Sequence, residues 1–420
     1  MTRQSFIGIL LATALTLAAG SASSAGVGDQ ARGGRASVPV MTPAPVARIP
    51  FRSVNGMVMV PVRINGSREL NMVMDTGMSA PIVLLMHREL GEELHLEGGQ
   101  PVQIGGAGEQ ARPEGRLHAG ATVAFGGIEM PGQMVIAMDE ARDTSSWGWD
   151  GVIGKSIFDR YVVDIDFEHS VLSLYESGSF QARGFKSIPM TLAAGIPTVE
   201  AQVENENGEK VPVRLVVDLG AAQALSLQPE TKRLMLPAKT ITTIVGKGVQ
   251  GEVEGRIGRI RNLRLGPFTL PSVVSSFARE EAGTTCAGLG TGADGNLGNQ
   301  VLRRFRVVFD YAHQRILLSP RPGYDRPFEH NMAGLVLRPR RDGSLSVRTV
   351  MEGSSAAEAS IAPGDRILAI DGRELDSTRQ EGLLDLFKQV GTTLRLTVER
   401  AGTRFERSVP PHQVKSSAAG

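Results

Sequence analysis

The sequence predicts a mainly β chain: two duplicated β lobes followed by a small α+β module. Three observations predict it. The 420 residues include 50 glycines and few aromatic residues, and short apolar runs alternate with turn residues, as in hairpin-rich β structure. A landmark recurs: Asp75-Thr76-Gly77 ends the strand-like run 70–74, and Asp218-Leu219-Gly220 ends the run 213–217, 143 positions later. After Pro320 the texture changes to short strands around an amphipathic stretch, 378–390, in which Leu383, Leu384 and Phe387 share one helical face.

Taken in order, the chain opens with Arg3, an apolar run from Phe6 to about Ala19 and small residues to Ala25. This is the form of a secretory signal peptide over 1–25, which directs an exported, periplasmic or secreted protein. The run is shorter than the ~20 residues of a membrane span, so no stable membrane span is expected. Residues 26–50, rich in Ala, Gly, Pro and Arg, read as a linker. The first lobe is expected over 51–180 and the second over 181–320, with a linker at 321–330, the terminal module at 331–410 and a tail at 411–420.

A second landmark supports the duplication. Asp150-Gly151-Val152-Ile153-Gly154 recurs as Asp294-Gly295-Asn296-Leu297-Gly298, 144 positions on. Each copy leads into a short helix and then a strand pair, 161–167 with 171–175 and 305–311 with 315–319. Between the landmarks each lobe has a glycine-rich hairpin, around Gly105-Gly106-Ala107-Gly108 and around Gly246 and Gly248. The second hairpin spells G-x-G-x-x-G, but the following residues alternate like a strand, whereas a dinucleotide site needs a helix there. Hairpin glycines instead suit mobile flaps.

Other chemistries lack their patterns. A net charge of +1 gives no reason to expect nucleic acid. The seven histidines are scattered, with no H-E-x-x-H pair, so neither a metal nor another cofactor is expected. There is no G-x-S-x-G elbow. Cys286, the lone cysteine, reads as a small structural thiol. Asp164, Asp166 and Asp310 are expected to face outward from strands or to bond turn backbone. What remains is the pair Asp75 and Asp218. Two carboxylates brought together share one proton, so one can act as base while the other acts as acid.

These residues together resemble the retropepsin-like aspartic peptidases, over about 51–320. Asp-Thr-Gly, the flap glycines and the apolar-apolar-Gly of Val152-Ile153-Gly154 occur in family order, and both halves are fused in one chain, as in pepsin. The resemblance implies catalytic Asp75 and Asp218 facing each other across a pseudo-twofold axis. Thr76, Gly77, Leu219 and Gly220 would support the two loops, and the glycine hairpins would act as flaps over a peptide or protein substrate. The chain departs from the pattern at Leu219, where the family places the Thr or Ser of a hydrogen-bonded grip between the lobes.

In the terminal module, Pro363-Gly364-Asp365-Arg366-Ile367-Leu368 and Asp371-Gly372 closely resemble a PDZ domain. Ala333, Gly334, Leu335 and Val336 fall at the loop that receives a peptide C-terminus, with Leu384 on the facing helix. The resemblance implies protein C-terminal tails as partners, and Pro339 removes one donor from the edge strand. The expectation is an exported aspartic endopeptidase with a recruiting PDZ domain. The alternative is an inactive pseudo-peptidase that serves as a peptide-binding adaptor.

Overall fold

Seven strands in each half lie side by side in the same order. In lobe 1 they run Met57–Ile64, Leu70–Met74, Gly151–Ile153, Ile82–Leu85, Ile128–Met138, Glu114–Phe125 and Gln100–Gln103. In lobe 2 they run Ile196–Glu204, Lys210–Val217, Gly295–Leu297, Leu225–Leu227, Phe268–Ala278, Gly251–Leu265 and Thr240–Gly248. The computed structural model describes residues 44–108, 111–139, 149–228, 234–238, 240–278, 290–326, 328, 333–340, 342–351, 354–376, 386–387 and 393–410. The expected signal peptide, Cys286, Leu384 and the tail lie outside the described residues.

A further run of strands joins the lobes, in the order Ala47–Pro50, Val171–Tyr175, Val162–Asp166, Phe305–Asp310, Arg315–Pro320 and Lys186–Ala193. The junction is the antiparallel pairing of Val163 with Phe309 and of Asp164 with Val308. This corrects two expectations. Residues 47–50 are not linker, because Ala47 and Ile49 are buried while Arg48 and Pro50 face out, and the segment pairs with Val171–Leu174. Their strand alternation is short and lies within an Ala/Pro/Arg-rich stretch. Asp164 is not outward-facing either. The joining sheet buries it, and Arg306 meets both carboxylate oxygens, at 2.9 and 2.6 Å. Asp166 and Asp310 do bond turn backbone, accepting from the amides of His169 and His313.

One apolar core runs through both lobes, including Met74 and Phe158 from the first and Leu219, Leu297 and Phe309 from the second. Phe158, in the short helix Lys155–Phe158, meets Phe309 edge-on at 5.2 Å and stacks on Tyr311 at 5.5 Å. Each such ring buried adds roughly 1.5–3 kcal/mol, so the lobes share stability as well as a sheet.

The expected linker 321–330 is docked rather than loose over its described part. The Arg304 guanidinium lies 3.6 Å from the centre of the Phe328 ring, and Arg259 donates twice to the Phe328 carbonyl, at 3.0 Å. Tyr324 and Phe328 supply apolar surface that a free linker would leave in water. The terminal module follows, with strands Leu335–Pro339, Leu345–Val350, Arg366–Ile370, Leu394–Arg400 and Thr403–Val409 in that order. Its core of Leu345, Ile367, Phe387 and Leu396 is separate from that of the lobes. Arg348 reaches Glu252 of the second glycine hairpin at 3.2 Å. Both side chains are partly exposed, so this contact adds little stability. Among the described residues, no helix is long and apolar enough to cross a membrane.

Candidate active site

The strands Leu70–Met74 and Lys210–Val217 each run parallel to the short strand of the second landmark, Gly151–Ile153 and Gly295–Leu297. Buried apolar side chains hold both strands in the core up to Met74 and Val217. The pairing continues one residue further, as the Asp75 amide donates to the Ile153 carbonyl and the Asp218 amide to the Leu297 carbonyl, both at 2.9 Å. The landmark aspartates lock the register. Asp150 accepts from the Asn71 amide at 2.7 Å, and Asp294 accepts from the Arg214 amide at 2.8 Å.

This brings Asp75 and Asp218 together, with their carboxyl groups hydrogen-bonded to each other. The Gly77 amide donates to Asp75 Oδ1 at 2.6 Å, and the Gly220 amide donates to Asp218 Oδ1 at 2.8 Å. A Cβ on Gly220 would stand 2.6 Å from the Asp75 carboxyl carbon, so only glycine lets this loop close on the opposite aspartate. Burial pushes both carboxyls up. For Asp218 the neighbouring Asp75 charge adds to burial, and it is pushed up to about 8, while the Gly220 and Asn296 donors act the other way. Burial likewise raises Asp75 against the opposing pull of the Gly77 amide. Like charges in a buried site cannot both ionise, so the pair keeps one proton at neutral pH. Burial also keeps the nearby Tyr311 phenol neutral.

Thr76 makes one half of a grip between the lobes. Its hydroxyl donates to the Val217 carbonyl at 2.6 Å and accepts from the Leu219 amide at 2.9 Å. Leu219 therefore participates through its backbone, while its side chain is fully buried in the core. Its carbonyl accepts from Asn299 Nδ2 at 2.6 Å.

The two glycine hairpins meet at their tips. The second turns at Val249 and Gln250, between the paired Gly248 and Gly251. Gln250 accepts from the Gly106 amide through its side chain, at 3.1 Å, and donates its own amide to the Ala107 carbonyl, at 2.9 Å. A Cβ on Gly248 would lie 2.3 Å from the Ala107 carbonyl oxygen. Gly108 is packed as tightly against Gln250, whereas Gly105 and Gly246 have open space where a side chain would be. Strand Gly251–Leu265 follows the G-x-G-x-x-G letters, so the helix a dinucleotide would need is not formed. Val249 also joins an apolar cluster with Met78, Ile82, Ile104, Val152 and Trp149, which links the loop after Gly77 to the tip of the second hairpin.

In the terminal module, Ala333, Gly334 and Leu335 are buried and Val336 is half-buried on the edge strand Leu335–Pro339. Among the described residues, that strand borders the sheet and pairs with Leu345–Val350. Gly334 adopts φ +71°, and its carbonyl accepts from the Met351 amide at 2.8 Å. Phe387 packs in the core.

Sequence reasoning missed Asn296 and Asn299. Both are buried, and Asn296 Nδ2 donates to Asp218 Oδ2 at 2.9 Å. A signal existed: the second lobe reads Asn-Leu-Gly-Asn where the first reads Val-Ile-Gly-Lys, a change of chemistry at otherwise matched positions. Among the described residues, no group of three or more His, Cys, Asp or Glu side chains could hold a metal ion.

Comparison with known families agrees with this layout. A family model described as "Aspartyl protease" matches residues 60–157 and 199–301, one stretch in each lobe. A second, described as "PDZ domain", matches residues 325–399. No curated protein matches the chain.

Proposed function

The chain belongs over residues 60–301 to the aspartyl proteases and carries a C-terminal PDZ domain, and from that premise we propose that it is an exported aspartic endopeptidase. The observation that carries this reading is the hydrogen-bonded pair of carboxyls, Asp218 buried and Asp75 half-buried, each accepting the amide of its own loop glycine. Between the carboxyls, the ionised member takes a proton from a water molecule, and the water oxygen attacks the scissile carbonyl carbon. The protonated member donates to the carbonyl oxygen as charge develops there. Neither a metal nor a covalent intermediate is needed in this scheme.

The joined flap tips support closure over an extended peptide, which excludes bulk water from the reaction. The apolar cluster from Met78 to Val249 supports substrates with large apolar side chains beside the scissile bond. The PDZ domain, whose sheet is bordered among the described residues by Leu335–Pro339, supports recruitment of protein C-terminal tails by β-addition. The leader pattern of residues 1–25 supports export, to the periplasm or beyond the cell. Leu219 was the feature in favour of an inactive adaptor. That reading is weakened because Thr76 still grips the second loop through backbone groups.

The test is digestion of an unbiased peptide library by the purified protein from acidic to neutral pH. Cleavage should be blocked by a statine-type transition-state mimic and lost in Asp75→Asn and Asp218→Asn. A parent protein that binds the mimic but cleaves no peptide would establish the adaptor instead.

A further inference from the structure

The two carboxyls of the pair are not held alike. Asp75 and Asp218 each accept one loop amide, from Gly77 and from Gly220. Asp218 accepts one donor more: Asn296 Nδ2 reaches its second oxygen, Oδ2, at 2.9 Å. The strand pairings put Val73 beside Val152 in the first lobe and Val216 beside Asn296 in the second. The equivalent of Asn296 is therefore Val152, whose side chain has no donor. The amide belongs on Asp218 for a physical reason. Its Nδ2 satisfies an oxygen of a buried carboxylate, whereas its Oδ1 would repel that oxygen.

We propose that Asn296 is the positioning residue that makes the two aspartates chemically unequal, by holding Asp218 Oδ2 and favouring the ionised form of Asp218. The proposal rests on the reading of the pair as a proton-sharing dyad.

A fused chain, unlike two identical subunits, can carry such a difference, because each lobe has its own copy of the second landmark. The donor acts in one direction. A hydrogen bond to the charged form favours that form. Asn296 therefore opposes burial and the Asp75 charge, and lets the last proton of the pair leave at a lower pH than it otherwise would. Being neutral, it does so without competing for the proton. Among the described residues, the titratable group set against Asp218 from the first lobe is Asp75, and Tyr311 lies further off as a neutral phenol.

The test compares the parent protein with Asn296→Leu, which keeps the volume and removes the donor. Two readouts are taken: 13C NMR titration of the labelled aspartate carboxyl carbons, with the pair assigned through Asp218→Asn, and the pH dependence of kcat/KM. Without the donor, the last proton of the pair should leave about one pH unit higher, the size expected of one hydrogen bond to a carboxylate. The alkaline limb of the rate profile should move with it, and kcat should fall more than KM changes. Unmoved titration and rate profile in a folded Asn296→Leu protein would overturn the proposal.

Should that variant fail to fold, Val152→Asn places a donor beside Asp75, and the last proton should then leave at a lower pH. No shift there would overturn the proposal equally. The NMR titration does not depend on turnover, so a parent that cleaves nothing defeats the peptidase reading while the role of Asn296 is still decided.

Discussion

The Thr76 hydroxyl holds the backbone amide of Leu219, 2.9 Å away across the lobe interface, and at the same time donates to the carbonyl of Val217. One side chain thus satisfies a donor and an acceptor on the far loop. The residue opposite contributes no side-chain polarity, yet the loop that carries Asp218 is still fixed to the loop that carries Asp75. Thr76→Val would strand the Val217 carbonyl and the Leu219 amide in a dry interior. Urea denaturation should show a loss of roughly 2–6 kcal/mol, at 1–3 kcal/mol for each unsatisfied group. In the other direction, Leu219→Thr should raise kcat by less than about tenfold and cost about 1–3 kcal/mol. A fully buried leucine is replaced there by a smaller, polar side chain.

The carboxyl pair should cost stability, and the cost should depend on pH. Asp218 is held up to about 8 by burial and by Asp75, far above its value in the unfolded chain. Between the unfolded value and about 8, the folded protein binds more protons than the unfolded one. The stability contribution is therefore full below about pH 4 and is lost progressively as pH rises toward 8. Asp218→Asn removes the titration. Melting curves taken from pH 5 to pH 8 should show this variant gaining on the parent as pH rises, by on the order of a few kcal/mol at the upper end. A gap between the two proteins that stays constant with pH would contradict the shared-proton account.

Closure of the flaps should be sensitive to a single methyl group. Because a Cβ on Gly248 would sit 2.3 Å from the Ala107 carbonyl oxygen, Gly248→Ala should part the tips and weaken the contacts of Gln250 with Gly106 and Ala107. The expected result is a fall in kcat/KM of about tenfold or more, as closure completes and dries the site, with little change in melting temperature. By contrast Gly246→Ala, which has open space, should be nearly silent.

In the PDZ domain the sensitive position is Gly334. Its φ of +71° disfavours any residue with a Cβ, and that Cβ would lie 2.2 Å from the Cβ of Ser354, the residue that caps the helix Ser355–Glu358. Gly334→Val should destabilise the domain by roughly 2 kcal/mol or more. Fluorescence anisotropy with a C-terminal peptide library should show binding lost, while cleavage of short peptides by the lobes continues.

Much of this architecture was legible in the chain because a duplication leaves two copies to compare. The aspartates at 75 and 218 and the landmarks at 150 and 294 announced the matching lobes, and the glycine-rich stretches announced the two hairpins whose tips meet. Less legible was whatever depends on contact between the copies. Asp164 looked like a surface residue until the joining sheet covered it and Arg306 paired with it. Phe328 sat in a stretch that read as linker, and its packing beneath Arg304 and its bonds from Arg259 show it docked.

The sequence alone determined the repeat, the two aspartates at equivalent points and the PDZ domain, because these are local patterns of spacing and alternation. It also drew attention to Leu219, where the two copies differ in a motif residue. Tertiary structure decided what that difference means, because hydrogen bonds across an interface join atoms 141 and 143 positions apart in the chain, and no local pattern encodes them. Thr76 bonds to backbone, which every residue carries, so leucine can stand at 219. The chemical asymmetry of the site lies instead at Asn296, whose amide meets a carboxylate 78 positions away, a contact made only when the two parallel strands are laid side by side.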